Sequence, residues 1–280
     1  MSNNIAADQV PLEHDLAHWV SPLVRRLVAN NPGYMTGPGT NTYLLGTGDV
    51  AVIDPGPEDA AHLAAIVKAG ANRIRWIFCT HTHLDHSPGT AALKEATGAT
   101  VMAWSNRGGL RTDKRIADGF VLDGDSFHLR AVHTPGHAGN HLCYLLEEEL
   151  LLFSGDHIMQ GSTVVISPPD GDMGAYLNSL AKVRALGLHA IAPGHGHIIT
   201  DPNVLIDWYM DHRLEREAQL HELLVGFGSA RVSELVEAAY VDLNPLLIPM
   251  AKRTVHAHLR KLADDGVVVG NGARGVWRVV

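Results

Sequence analysis

Within six residues, His81-Thr82-His83-Leu84-Asp85-His86 supplies three imidazoles and a carboxylate, directly after the apolar run Ile74–Cys79. A buried strand that empties into a loop of this composition must end at an open sheet edge, where polar side chains can converge. Divalent zinc takes nitrogen from neutral imidazole and oxygen from carboxylate, on short convergent spacings. On such a loop His81 and His83 point together, while Asp85 and His86 turn toward a second point at the start of the next helix. One loop therefore supplies half of a two-metal site.

Three later segments repeat the design. Thr134-Pro135-Gly136-His137 follows a strand and ends in a His exposed by a Gly-containing turn. Phe153-Ser154-Gly155-Asp156 brings a carboxylate able to bridge two ions, and Ala192-Pro193-Gly194-His195-Gly196-His197 brings a further His. Four strand-end loops that each deliver a ligand are how an enzyme site is built on one rim of a sheet scaffold. Five His with Asp85 and Asp156 suffice for two divalent metal ions, zinc first and iron or manganese next, with positions left for water and substrate. The chain holds 18 histidines, more than its Phe, Tyr and Trp together.

Apolar runs at Leu23–Val28, Thr42–Leu45, Val50–Ile53, Ile74–Cys79, Thr100–Ala103, Phe120–Leu122, Phe127–Val132, Cys143–Leu146, Leu150–Phe153 and Ala190–Ala192 predict strands. Glu58–Lys68, Gly89–Ala96 and Met173–Ala185 predict helices, the first stopped at Gly70 and the second with Ser87 and Pro88 at its N-cap and N1 positions. Glu147-Glu148-Glu149 predicts a solvated hairpin turn. The strands come partly as hairpins and partly as strand-loop-helix units. That mixture favours an α+β fold with two sheets covered by helices over a doubly wound parallel sheet. From Asn203 the pattern changes to helices at Asn203–Phe227, Val232–Ala239 and Leu247–Ala263, then a Gly-tipped hairpin over 267–279, the order of a winged helix. The expected domains are 1–211, catalytic, and 212–280, winged-helix-like.

Residues 1–211 carry 13 Lys and Arg against 22 Asp and Glu, and residues 212–280 carry 9 against 8. A net charge of −8 argues against a protein coated with basic patches for nucleic acid. Lys252, Arg253, Arg260 and Lys261 lie among Leu259 and Leu262, the spacing of a packing face. The C-terminal segment is accordingly expected to cover the active-site rim or to pair with a second copy, without gripping phosphates. No apolar run approaches a membrane span, the polar start does not read as a signal peptide, and two cysteines suit a reducing cytoplasm.

The His-x-His-x-Asp-His loop with the later His137, Asp156 and His195 resembles the metallo-β-lactamase superfamily, over roughly residues 20–200. The resemblance implies an αββα sandwich of two mixed sheets. It also implies one metal on His81, His83 and His137, a second on Asp85, His86 and His195, and Asp156 as the bridge. Gly155-Asp156 stands where class B β-lactamases commonly carry a Cys, which argues against drug hydrolysis. Asp54, in Ile53-Asp54-Pro55-Gly56, matches the carboxylate that supports the ligand loop in this superfamily. Gly39-Thr40-Asn41-Thr42-Tyr43-Leu44, Tyr176-Leu177-Asn178-Ser179-Leu180 and His212-Arg213 with Arg216-Glu217 resemble subsidiary motifs of the β-lactamase-like protein 2 family, which adds a C-terminal winged helix.

Two metals sharing a hydroxide give a nucleophile at neutral pH, so no Ser or Cys nucleophile is needed. Asp85 and Asp156 would orient that hydroxide. The expected activity is hydrolysis of an ester or thioester in a small or medium organic substrate. Cleavage of single-stranded RNA is the alternative, with single-iron oxidation and a metal-sensing regulator as rivals. His141 would contact substrate or orient a ligand, with a structural role behind the ligands favoured. Tyr176 would donate to a developing oxyanion or pack on the core.

Overall fold

The structure, a computed structural model, describes residues 10–280. It forms two compact units: residues up to 134, 140–163 and 186–202 in the first, and 135–139, 164–185 and 203–280 in the second.

The first unit contains β1 (His18–Trp19), β2 (Val24–Val28), β3 (Asn41–Leu45), β4 (Val50–Ile53), α1 (Ala60–Gly70), β5 (Ile74–Phe78), α2 (Thr90–Thr97), β6 (Thr100–Ala103), β7 (Lys114–Arg115), β8 (Val121–Asp123), β9 (His128–His133), β10 (Leu142–Leu146), β11 (Leu151–Gly155) and β12 (Ala190–Pro193). Seven strands form one sheet in the order β1 to β7, and five form another in the order β12-β11-β10-β9-β8. Both are mixed. In the first sheet β1 to β4 pair antiparallel and β4 to β7 parallel. In the second only β11 and β12 pair parallel.

Side chains alternate across a strand, so each face of the first sheet meets a different core. Tyr43, Ala51, Ile53 and Phe78 pack with Leu129, Tyr144, Phe153 and Ala192 of the second sheet. Leu44, Val50, Val52 and Ile77 pack with Ile66 of α1 and Leu93 of α2. Burial on both faces is why β4 reads as a continuous apolar run. Direction follows from pairing: β4 and β5 run one way in their sheet, and β9, β11 and β12 share a direction in theirs. The residues that follow β4, β5, β11 and β12 therefore emerge at strand C-terminal ends.

Three local expectations are corrected. Ser87 does not cap α2, which starts at Thr90 behind Gly89; the His86 and Ser87 amides instead donate to the His83 carbonyl, at 3.1 and 3.2 Å, and close the ligand loop into a turn. Gly70 is the last residue of α1, and the left-handed stop is Ala71 at φ 49°. Within the acidic turn Glu148 accepts from the His128 amide, but Glu149 is buried and accepts from the Leu23 amide at 3.2 Å, with burial pushing its pKa upward.

The second unit contains α3 (Met173–Arg184), α4 (Pro202–Phe227), β13 (Ala230–Arg231), α5 (Val232–Ala239), α6 (Ile248–Asp264), β14 (Val268–Gly270) and β15 (Val276–Val279). Its three strands lie in the order β13-β15-β14. Leu220, Leu224, Leu235, Val255 and Trp277 form its core, joined by Leu259 and Leu262, so the apolar spacing on α6 serves packing inside this unit. No described helix is long and apolar enough to cross a membrane.

The Phe78 ring packs edge-on against Tyr144, 5.2 Å between centroids, and so couples the two sheets directly behind the ligand loop. Phe78→Ala should cost about 3–5 kcal/mol. Urea unfolding followed by the first unit's tryptophans would measure it, and a loss below about 1 kcal/mol would mean that the site collapses without a cavity.

Candidate metal centre

Asp85, His86, Asp156 and His195 offer ligand atoms that all lie within 4.8 Å of one another. Asp85 Oδ2 is 3.3 Å from both His86 Nε2 and His195 Nε2, and Asp156 Oδ1 is 3.2 and 3.3 Å from the same two nitrogens. His81, His83 and Asp156 converge within the same limit. His81 Nε2 lies 2.9 Å from His83 Nδ1 and 3.8 Å from Asp156 Oδ2. One carboxylate oxygen of Asp156 thus faces each group. His137 belongs to the second unit, on the loop between Thr134 and Asn140, where its Nδ1 donates to the Val165 carbonyl at 2.8 Å.

Ring orientation is set by what the far nitrogen donates to. His86 Nδ1 donates to Asp54 Oδ2 at 2.9 Å, and His195 Nδ1 to the Gly39 carbonyl at 3.1 Å. Thr80 Oγ1 donates to Asp54 Oδ2 at 2.7 Å and so accepts from His81 Nδ1 at 3.0 Å. In all three rings Nε2 is left as the nitrogen with a lone pair, aimed into the cluster. Glycine makes the close approach possible at two places. A Cβ on Gly155, at φ +47°, would stand 2.6 Å from Thr80 Oγ1, and one on Gly194 would stand 2.8 Å from the His86 ring.

Lone pairs of His86 and His195 facing two carboxylates repel them unless a proton or a cation sits between. The protein's own answer is a proton. Burial opposes a charged His195, but hydrogen bonds to Asp156 and Asp85 outweigh it and push its pKa up to about 9. Burial likewise opposes a charged His86, yet Asp85 and Asp156 hold it well above the imidazole range. For Asp85 and Asp156 burial is overcome by His86 and by hydrogen bonds from His195, which keep both below the usual carboxylate range. A buried set of imidazole nitrogens and carboxylate oxygens that traps protons in this way fits a divalent metal by its donor chemistry.

Among the other predicted residues, Asp54 is buried and receives the Thr80 amide at 2.7 Å as well as Thr80 Oγ1 and His86. Asn41 is buried and donates to the carbonyls of Pro193 and Gly196, both at 2.9 Å, which brackets His195. His141 is buried with Nδ1 against Thr134 Oγ1 at 2.9 Å, its ring 5.1 Å from that of His81. Tyr176 is fully buried in the second unit, with the Arg213 guanidinium 5.5 Å over its ring and its backbone tight against Gly136. Two residues were missed. Thr80 links Asp54 to His81, and its place between strand and ligand loop was the available signal. Arg26, buried in β2, donates to the Val10 carbonyl at 3.0 Å and approaches the Gly196 carbonyl at 3.4 Å; nothing in a strand sequence announces that.

A two-sheet α+β scaffold with this donor set has a known counterpart. Residues 35–195 match the family described as the metallo-beta-lactamase superfamily, and residues 232–277 match the beta-lactamase associated winged helix domain. The first match covers more than half of the chain, so the protein belongs to the metallo-β-lactamase superfamily, and it is a hydrolase. Among its relatives, a beta-lactamase-like protein 2 homolog of Caenorhabditis elegans is 33% identical over 261 residues, 89% of this chain and 87% of the relative. An atrochrysone carboxyl ACP thioesterase of Aspergillus chevalieri is 36% identical over 233 residues, 79% of this chain and 74% of the relative. In fold, a metallo-beta-lactamase family protein from Thermus thermophilus superposes with a TM-score of 0.78 at 22% identity, covering 94% of this chain and 100% of that one.

Because metal must displace the protons on His86 and His195, loading metal-free protein at about pH 7 should release protons. Apparent affinity should rise with pH until His195 is deprotonated, at about 9. An indicator-dye titration would show it, and an affinity flat across that range would contradict it. Asp54→Ala leaves the His86 and Thr80 donors without their acceptor and should weaken metal affinity by about 10–100-fold. Wild-type affinity in a chelator competition would remove Asp54 from its supporting role.

Proposed function

We propose that this hydrolase uses two divalent metal ions, zinc in the first instance, to cleave an ester or thioester in a small or medium organic substrate, thioesters foremost. The observation that carries this reading is Asp156, whose Oδ1 faces His86 and His195 while Oδ2 faces His81. A carboxylate with its oxygens directed at separate donor groups suits a bridge. His81, His83 and His137 would hold one ion, and Asp85, His86 and His195 the other. His137 suits this place because the Val165 carbonyl commits its Nδ1 as a donor, which makes Nε2 the ligating nitrogen. When bound, such ions supply water activation near neutral pH and positive charge for the carbonyl oxygen.

The chain's own groups do the rest. Asp85, partly open to solvent, and Asp156 accept hydrogen bonds from the attacking water and so orient it. Its oxygen forms the new bond to the acyl carbon, the carbon–sulfur bond breaks, and the thiol leaves with a proton. Thioester preference is supported by the Aspergillus chevalieri relative, whose name is that of a thioesterase.

Metal analysis of the loaded protein should return about two ions per chain, as the two donor groups sharing Asp156 require. A single ion that never becomes two would overturn the bridge. Asp156→Ala should lower turnover of acyl thioesters by more than the roughly 100-fold typical of outer ligand partners. Near-normal turnover in that variant, or no hydrolysis of any thioester or ester by the loaded protein, would count against this function.

A further inference from the structure

The second unit carries an open cleft of about 750 Å³ that none of the metal-centre residues lines, with Arg231, Lys252, Arg253 and Arg274 exposed along it. Its walls come from separate parts of the chain. The β13–α5 junction contributes Arg231 and Ser233, α6 contributes Lys252, Arg253 and His256, the hairpin turn contributes Arg274, and the strip at Ser167 completes it. Four full cations face this space and no carboxylate lines it. None of the four forms an ion pair among the described residues, whereas Lys261 on the same helix is held by Glu217 and Asp265, both at 2.8 Å.

Four like charges around one cavity repel each other, and the arrangement is relieved by an anion. The chemistry offered is that of phosphate recognition: guanidinium forks, an ammonium and serine hydroxyls. The first turn of α5 lies in the same wall, capped by Glu234, whose Oε2 accepts from the Arg231 amide at 2.6 Å. The volume falls in the range of small-molecule sites, about 300–1,000 Å³.

We propose that this cavity binds the phosphate group of a small phosphorylated molecule. A nucleic-acid strand is the poorer occupant, since a polyanion needs cations spread along a track. Outside the cavity the unit's cations are largely engaged: Lys261 as above, Arg184 with Asp207 at 2.8 Å, Arg216 over the Tyr240 ring, and Arg213 buried. The net charge of −8 adds repulsion at range. Among small phosphorylated molecules, a thiol that carries a phosphate is the class to test first, a choice that rests on the thioesterase reading, whereas phosphate binding does not.

The test is calorimetric binding to the full-length, metal-loaded protein of 4′-phosphopantetheine, of pantetheine without the phosphate, of inorganic phosphate and of a short single-stranded RNA. Phosphopantetheine should bind at least about tenfold more tightly than pantetheine, as one charge-assisted contact set implies, and inorganic phosphate should compete with it. The double variant Lys252→Gln/Arg253→Gln and, on a different element, Arg274→Gln should each weaken phosphopantetheine by about tenfold or more with metal content unchanged. Equal binding of the two pantetheines, or phosphate binding that ignores both variants and so resides at the metal centre, would overturn the proposal. So would RNA binding that falls steeply with salt and displaces phosphopantetheine. None of these readouts requires turnover. A hydrolase of other substrates would still show phosphate binding, and a thioesterase without this site would still show hydrolysis.

Discussion

Three hydrogen bonds end on the Asp54 carboxylate, and the geometry of the metal centre depends on them. The Thr80 amide and hydroxyl and the His86 ring all donate to it, so the end of β5 and the far side of the ligand loop are referenced to one buried group at the end of β4. The connection propagates outward. Thr80 Oγ1, having donated to Asp54, can only accept from His81, which turns that ring's other nitrogen inward. Asp54 itself adopts φ +51°, a left-handed conformation uncommon outside glycine and tolerated best by Asn and Asp. The Thr42 hydroxyl, 2.6 Å from its carbonyl, and its own amide, donating to the Phe78 carbonyl, hold it there. Local strain at a position that orients ligands is the usual partner of a functional site.

The second reference is the opposite sheet. The Leu142 amide donates to the Thr80 carbonyl at 2.7 Å, and Tyr144 Oη donates to the Cys79 carbonyl at 2.8 Å. The end of β5 is therefore pinned from β10 as well as from β4. Thr80 has its amide, hydroxyl and carbonyl all engaged, which leaves the histidines beyond it little freedom to reorient. Preorganisation of this kind holds two imidazole nitrogens and two carboxylate oxygens together at 3.2–3.3 Å, a spacing that flexible side chains would open.

How much of this was legible follows from the kind of pattern involved. The convergence of His81, Asp156 and His195 was legible because each follows directly on an apolar strand in a polar, Gly- or His-containing loop. Asp54 was legible through the resemblance, since a lone Asp before Pro-Gly also reads as an ordinary turn. Thr80 and Arg26 were not legible, because their roles rest on contacts between strands far apart in sequence. Glu149 misled because three adjacent glutamates look solvated, yet strand register turns one of them inward to the Leu23 amide. The basic cavity was hidden by averaging. Residues 212–280 are nearly neutral, and Arg231, Lys252, Arg253 and Arg274 meet only once the hairpin folds beside α6.

The buried thiols narrow the chemistry from another side. Cys79 lies one residue before Thr80, close to the centre. It is buried, and burial together with the Asp54 charge pushes its pKa up to about 12, so the reactive thiolate is scarce near neutral pH. Cys143 is also buried, 3.2 Å from Thr134 Oγ1. Ser154 is committed as a donor to the Ile158 carbonyl at 2.7 Å, and Ser87 leans on the His83 carbonyl. Cys79, Cys143, Ser154 and Ser87 are thus buried or occupied as donors. Under the proposed hydrolysis the attacking oxygen is then that of water, and the groups suited to hold it are Asp85 and Asp156, two carboxylates that the histidines around them hold below the usual carboxylate range.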